Sequence, residues 1–172
     1  MQAPEVVALG FRYPTPFQLD ELKEAVPVSS QGIVRRRMEE FLSEIEQLEL
    51  GEWEELHTDT LDLSPKFVPY VGHIAWGENY RRGEFMADLK REMRESGVDL
   101  LGELPDHIEP ILRYLAATTT PLPDLLGVLA DAVDTMRLTL VKVDSRNPYR
   151  HLLSAASGVI EDLNTLAIGS LR

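Results

Sequence analysis

Hydrophobic positions in this chain recur mostly at steps of three and four, the spacing that puts side chains on one face of an α-helix. The cleanest series is Leu122, Leu126, Leu129, Val133, Met136, Leu140 and Val143, which alternates four and three throughout. Val34, Met38, Phe41, Ile45 and Leu48 make a second face, and Phe85, Leu89 and Met93 a third within the strongly charged residues 80–96. Near the end, Leu152, Ala156, Val159, Leu163 and Leu166 form a stripe that Leu153, Ile160 and Ala167 broaden. That width suits a helix packed on more than one neighbour. No stretch alternates with period two, and no Asn-Gly or Asp-Gly hairpin signal is present.

Proline, glycine and serine divide these faces into elements. Residues 3–12 predict a short helix ended by Tyr13-Pro14-Thr15-Pro16, and a second runs from about Phe17 to Ala25 before stopping near Pro27. Ser29 and Ser30 offer an N-cap for the third helix, and Gly51 breaks it. Glu52 to about Thr60, with Trp53 and Leu56, predicts a short helical turn. Ser64 as N-cap and Pro65 at the first helical position start the next helix, with Phe67, Val71, Ile74 and Ala75 on its face and Gly77 closing it. Ile108, Ile111, Leu112 and Leu115 mark a helix that runs to the Thr118–Pro121 boundary, and residues 144–148 separate the last two helices. The expected fold is all-α: one domain over residues 1–172, a bundle of roughly seven to nine helices with several antiparallel neighbours.

Charge and composition narrow the function. A net charge of -12 argues against a phosphate-binding surface and so against nucleic acid, and it favours basic or apolar partners. Cysteine is absent, which removes disulfides, thiolate nucleophiles and Cys-held metal centres. No apolar run is long enough to span a bilayer, and Met1-Gln2-Ala3-Pro4-Glu5 lacks the pattern of a signal peptide, so a cytoplasmic location is expected.

The one concentration of unusual chemistry is Gly102-Glu103-Leu104-Pro105-Asp106-His107-Ile108-Glu109-Pro110. Asp106 and Glu109 have the D-x-x-E form of a capping box, a structural role that leaves Glu103 and His107 unexplained. The functional reading makes the turn the rigid edge of a binding groove, with His107 able to hydrogen-bond a ligand or partner backbone. Arg81 and Arg82, with Trp76 and Tyr80, form a second cluster, either a solvated helix start pairing with Glu78 or Glu84 or a partner-contacting edge. Tyr149, after Pro148, also suits ordinary packing at a helix start. The four histidines, His57, His73, His107 and His151, form neither H-x-x-x-H nor H-E-x-x-H, and no nucleophile elbow or phosphate loop is present. Nothing in the pattern supports an enzyme.

Glu103-Leu104-Pro105-Asp106-His107 resembles the E-x-P-D-H turn of the molybdoenzyme maturation chaperones, the TorD, DmsD and NarJ types. Asp62-Leu63-Ser64-Pro65 resembles the D-L-S-P segment of the NarJ branch, the so-called nitrate reductase delta subunit. Tyr80-Arg81-Arg82-Gly83-Glu84 resembles its R-R-R-G segment, and Asn147-Pro148-Tyr149-Arg150-His151-Leu152-Leu153 its S-P-Y-x-H-L-L helix start. Arg12-Tyr13-Pro14 is similar to the early Y-P turn. The pieces are collinear over nearly the whole chain. Three positions depart from the pattern: Glu109 stands where a proline often sits, with Pro110 after it, position 72 is Gly, and Trp76 replaces the commoner Leu-Phe pair.

The resemblance implies a TorD-like, cytoplasmic, non-catalytic chaperone. Such proteins bind the apo catalytic subunit of a molybdenum oxidoreductase, often at its N-terminal segment, and hold it competent for insertion of bis-molybdopterin guanine dinucleotide, with no permanently bound cofactor of their own. The client-binding candidates are Glu103, Pro105, Asp106 and His107, with Tyr70, Trp76, Arg81, Arg82, Tyr149 and His151. Clients in this branch include nitrate reductases and enzymes for selenate, chlorate or perchlorate, dimethyl sulfide and ethylbenzene. A homodimer stays open beside a monomer. The competing readings are a helical adaptor for an unrelated partner and a metal-dependent helical hydrolase.

Overall fold

Helix α1 (Ala3–Phe11) is apolar apart from Glu5, and Pro4, Val6, Val7, Ala8, Leu9, Gly10 and Phe11 are all buried. A helix of that kind has to lie inside the fold rather than on it. It packs against α2 (Gln18–Ser29), α7 (Ile108–Ala117) and α9 (Tyr149–Gly169). Around this centre the other elements run α3 (Gly32–Ile45), α4 (Leu50–His57), α5 (Val71–Trp76), α6 (Tyr80–Glu95) and α8 (Leu125–Val143). The structure, a computed structural model, describes residues 1–169. Among these residues it is all-helical, with nine α-helices, a π-helical turn at Thr58–Asp62 and one isolated antiparallel bridge between Tyr70 and His107. No described helix is long and apolar enough to cross a membrane.

Helix α9 packs against α1, α3 and α8, as its broad stripe requires, and Leu152, Leu153, Ala156, Val159 and Ile160 are buried. Two glycines let it approach closely. A Cβ on Gly10 would meet Leu152 at 2.6 Å, and one on Gly158 would meet Ile33 at 2.8 Å. The α3 face predicted from Val34, Met38, Phe41 and Ile45 is buried as a unit, as is the Phe85, Leu89 and Met93 stripe of α6.

Several boundaries differ from the sequence expectation, each for a local reason. Pro27 lies inside α2, which continues to Ser29: in the last turn a missing N–H removes only one backbone bond. Ser30 does not cap α3 but donates its hydroxyl to the Val26 carbonyl of α2, and Gln31 is the N-cap of α3. Helix α3 ends at Ile45 without a glycine, and Gly51 sits in the first turn of α4, where Glu49 and Glu52 form a capping box. Ser64 and Pro65 start no helix. Ser64 adopts φ 56° in an irregular stretch, and helix resumes only at Val71. Phe67 is buried from that loop all the same. Gly77 does close α5, at φ 62°. Helix α8 begins three residues after Leu122, and its last residue, Val143, is exposed.

Candidate functional site

The loop from 98 to 107 is fastened to the stretch before α5 by backbone bonds. Val71 N–H donates to the Asp106 carbonyl at 2.8 Å, and Ile108 N–H donates to the Pro69 carbonyl at 3.0 Å. This pairing sets the Tyr70 and His107 rings edge to face, with centroids 5.2 Å apart. The Tyr70 hydroxyl donates to Glu103 Oε1 at 3.2 Å, and burial together with the Glu103 charge pushes its pKa up to about 12.

The capping-box expectation is corrected here. His107 is the N-cap of α7, and its Nδ1 accepts the Glu109 N–H at 3.1 Å. Asp106 is wholly buried and accepts from Arg82 instead, Nε to Oδ2 at 2.9 Å and Nη2 to Oδ1 at 3.4 Å. Glu109 accepts from Arg113 at 2.7 Å and from Arg12 at 2.9 Å. Guanidinium groups from α6, α7 and the end of α1 have claimed the two carboxylates. Charge-assisted bidentate pairs of that kind outcompete a neutral backbone donor.

A cleft of about 410 Å³ opens beside this turn, lined by Phe11, Arg12, Tyr13, His57, Leu61, Asp62, Leu100, Leu101, Glu103, His107 and Glu109. His57 reaches it from the end of α4. Trp53 Nε1–H donates to the Tyr149 hydroxyl at 3.3 Å, and that hydroxyl lies 2.9 Å from His57 Nδ1. The buried Tyr149 proton has His57 Nδ1 as its acceptor, so neutral His57 carries its own proton on Nε2. Asp62 Oδ2 stands 4.0 Å from that nitrogen. Burial holds both His57 and His107 below the usual imidazole pKa, partly offset by the carboxylates around them.

His107 arrives at the same tautomer by a different route. Its Nδ1 lone pair is taken by the Glu109 N–H, which leaves the proton on Nε2. In these tautomers the free nitrogen of each ring, Nε2, carries the proton. Among the described residues no three His, Cys, Asp or Glu side chains are grouped to hold a metal ion.

The candidates chosen from sequence divide into groups. Glu103 and His107 line the cleft. Tyr70 braces both, while Pro105 and Asp106 are buried behind them and Arg82 anchors Asp106. Trp76 and Arg81 lie elsewhere: the Trp76 ring packs on Phe85 at 5.0 Å, with the Arg81 guanidinium 5.8 Å above it. Tyr149 has no exposed surface to offer a partner and acts through His57. His151 faces α3, where it pairs with Glu40 and Glu44. The sequence pattern gave no reason to select His57, because its partner Tyr149 is 92 positions away. Arg12, Tyr13 and Asp62 line the cleft too, from segments that the resemblance spans but whose sequence carries no site signal of its own.

In comparisons with known proteins, no family model and no curated protein matches the chain.

Proposed function

We propose that this chain is a maturation chaperone of the NarJ type, acting in the cytoplasm without catalysing a reaction itself. It binds the apo catalytic subunit of a molybdenum oxidoreductase at its N-terminal segment and keeps it open for insertion of bis-molybdopterin guanine dinucleotide. One observation carries the reading. Segments that resemble the chaperone pattern but lie far apart in sequence contribute to one cleft: Arg12 and Tyr13, Asp62, and Glu103 with His107. The Arg82 segment joins them through Asp106. The cleft is lined by both charged and apolar side chains, which suits an extended or helical peptide carrying both kinds of side chain.

Calorimetric titration with N-terminal peptides of molybdoenzyme catalytic subunits tests the proposal. Saturable binding that weakens on substituting Glu103 or His107 supports it. No heat with any such peptide, together with unchanged molybdenum content in cells lacking the protein, would overturn it.

A further inference from the structure

Helix α6 is closed by Gly97, which adopts φ 72°. Its N–H donates to the Arg94 carbonyl at 3.2 Å, and the Val98 N–H donates to the Met93 carbonyl at 2.8 Å, the bond pair that turns a chain back at a helix end. Val98 and Leu100 are thereby folded beside the helix, and an open groove of about 670 Å³ lies between the two stretches. Met93, Val98 and Leu100 are its apolar lining, with Ala87 further up the helix. Lys90, Arg91 and Arg94 stand over it, against one lining carboxylate, that of Asp99, whose Oδ1 accepts the Leu101 N–H.

The charges of α6 are sorted by side. At about 100° per residue, Ala87, Lys90 and Arg94 fall to one side of the buried Phe85, Leu89 and Met93 stripe, and Glu84, Asp88, Glu92 and Glu95 to the other. Arg91 lies between them and is committed to the acids, 3.0 Å from Asp88 and 4.0 Å from Glu92. Lys90 and Arg94 are exposed, and among the described residues neither side chain has an ion pair or a hydrogen bond. The helix dipole favours Arg94 in the last turn, but that effect has faded by Lys90. Two unpaired cations above an apolar lining make a local reversal of sign in a chain of net charge -12.

We infer that this groove docks an acidic amphipathic helix of a partner protein, which sets an apolar side chain on Met93, Val98 and Leu100 and carboxylates on Lys90 and Arg94. Four residues separate the two cations, about 6 Å along the helix axis, so carboxylates at the same spacing on a partner helix match them. A broad polyanion, such as a membrane surface or a nucleic-acid duplex, would press on the acidic side of α6 and meet the repulsion of the whole chain. A single segment meets only the cationic side. The inference stands apart from the chaperone reading, because the groove and the cleft beside the turn share one lining residue, Leu100.

The test uses the full chain and two fluorescently labelled, alanine-based helical peptides. One carries two glutamates four residues apart beside a leucine, and the other has glutamines in place of the glutamates. The glutamate peptide is expected to bind about threefold to tenfold tighter, the margin two exposed ion pairs supply, and to lose that margin at high salt. The amide resonances of Ala87, Lys90 and Val98 should shift, since a shift at Leu100 alone would not separate this groove from the cleft. The Lys90→Gln, Arg94→Gln double variant should erase the preference, and because both side chains are exposed and unpaired the fold is retained. Ala87→Glu, at an exposed position of the groove, should erase it too by giving the cations a carboxylate of their own. A Lys142→Gln, Arg146→Gln control removes the same charge near the end of α8 and should keep the preference.

Equal binding of the two peptides, a preference that survives the Lys90 and Arg94 changes, or resonance shifts confined to other residues would each overturn the inference. It also falls if neither peptide binds while the chain sediments with phosphatidylserine vesicles, or associates with itself, in a way those two changes abolish. The groove would then serve a lipid surface or a second copy of the chain.

Discussion

A Cβ placed on Gly72 would lie 2.8 Å from Oδ2 of Asp106, so the α5 backbone and the buried carboxylate leave no room for a side chain between them. The same Cβ would meet Phe85 at 3.0 Å and Arg82 at 3.1 Å. Gly72 is therefore what admits the Arg82–Asp106 pair. Gly72→Ala should destabilise the fold by about 1–3 kcal/mol through overpacking. Gly83→Ala is the control. Gly83 lies inside α6 with open space around it, so the change should stabilise by about 0.5–1 kcal/mol through helix propensity. Urea midpoints of the two variants should move in opposite directions.

Asp106 tests whether the turn is a cap or a buried ion pair. Its side chain is fully buried, and that of Arg82 is 14% exposed. Asp106→Asn leaves a mostly buried guanidinium with only the exposed Glu78, 3.6 Å away, as counter-charge, and should cost about 3 kcal/mol. Loss of a helix cap would cost only about 1 kcal/mol. An Arg82→Met, Asp106→Asn double variant should be markedly less destabilised than the sum of the single changes. Strict additivity in that cycle would rule out the pair as the source of the effect.

The helical faces were legible in the sequence because burial on one side of a helix is a local pattern. Phe85, Leu89 and Met93 need only their own spacing to be read, and all three are buried. The site was legible only in part, because its logic is tertiary. Asp106-x-x-Glu109 has the form of a capping box, and only the arrival of Arg82 from α6 and of Arg12 from the end of α1 turns it into two ion pairs. Ser64-Pro65 carries a start signal, but the backbone there runs on to pair at Tyr70 with His107 instead of coiling. His57 carried no signal at all. Its meaning depends on Tyr149 and on a cleft built by three separate stretches of chain, 11–13, 57–62 and 100–109.

Stability should fall on mild acidification. Burial holds the folded-state pKa values of His57 and His107 below the ordinary 6.5. Asp62 and Tyr149 face His57, and Tyr70, Glu103, Asp106 and Glu109 surround His107. Below pH 6.5 the unfolded chain takes up protons that the folded chain refuses until a lower pH. The contribution is therefore fully present above that value and is lost as pH falls toward the folded-state pKa. The slope should approach about 1.4 kcal/mol per pH unit for each histidine. Urea unfolding from pH 7.5 to 5.5 checks this, and a flat profile would count against it.

Tyr149→Phe removes the hydroxyl that links Trp53 to His57 and leaves both nitrogens without their partner. The expected cost is about 1–3 kcal/mol, the penalty for unsatisfied buried polar groups. The informative readout is the nitrogen chemical shifts of His57. Without the hydroxyl its proton is no longer confined to Nε2, and the shifts should move toward a mixture of tautomers. Unchanged shifts would mean that something other than Tyr149 sets the ring.

His107 carries two roles on two nitrogens, and they can be separated. Its Nδ1 caps α7 by accepting the Glu109 N–H, while its Nε2–H faces the cleft. His107→Ala removes both, and loss of the cap should cost about 1 kcal/mol in addition to the lost ring packing on Tyr70. His107→Asn supplies a side-chain oxygen at the cap, since Asn is among the best N-cap residues, but is too short to replace the Nε2–H donor. The Asn variant should therefore recover about 1 kcal/mol of stability relative to Ala. Client peptide binding should fall equally in both, by about fivefold to tenfold for one lost hydrogen bond. If binding instead recovers with stability in the Asn variant, His107 serves the helix alone, and the recognition role passes to Glu103 and Asp62.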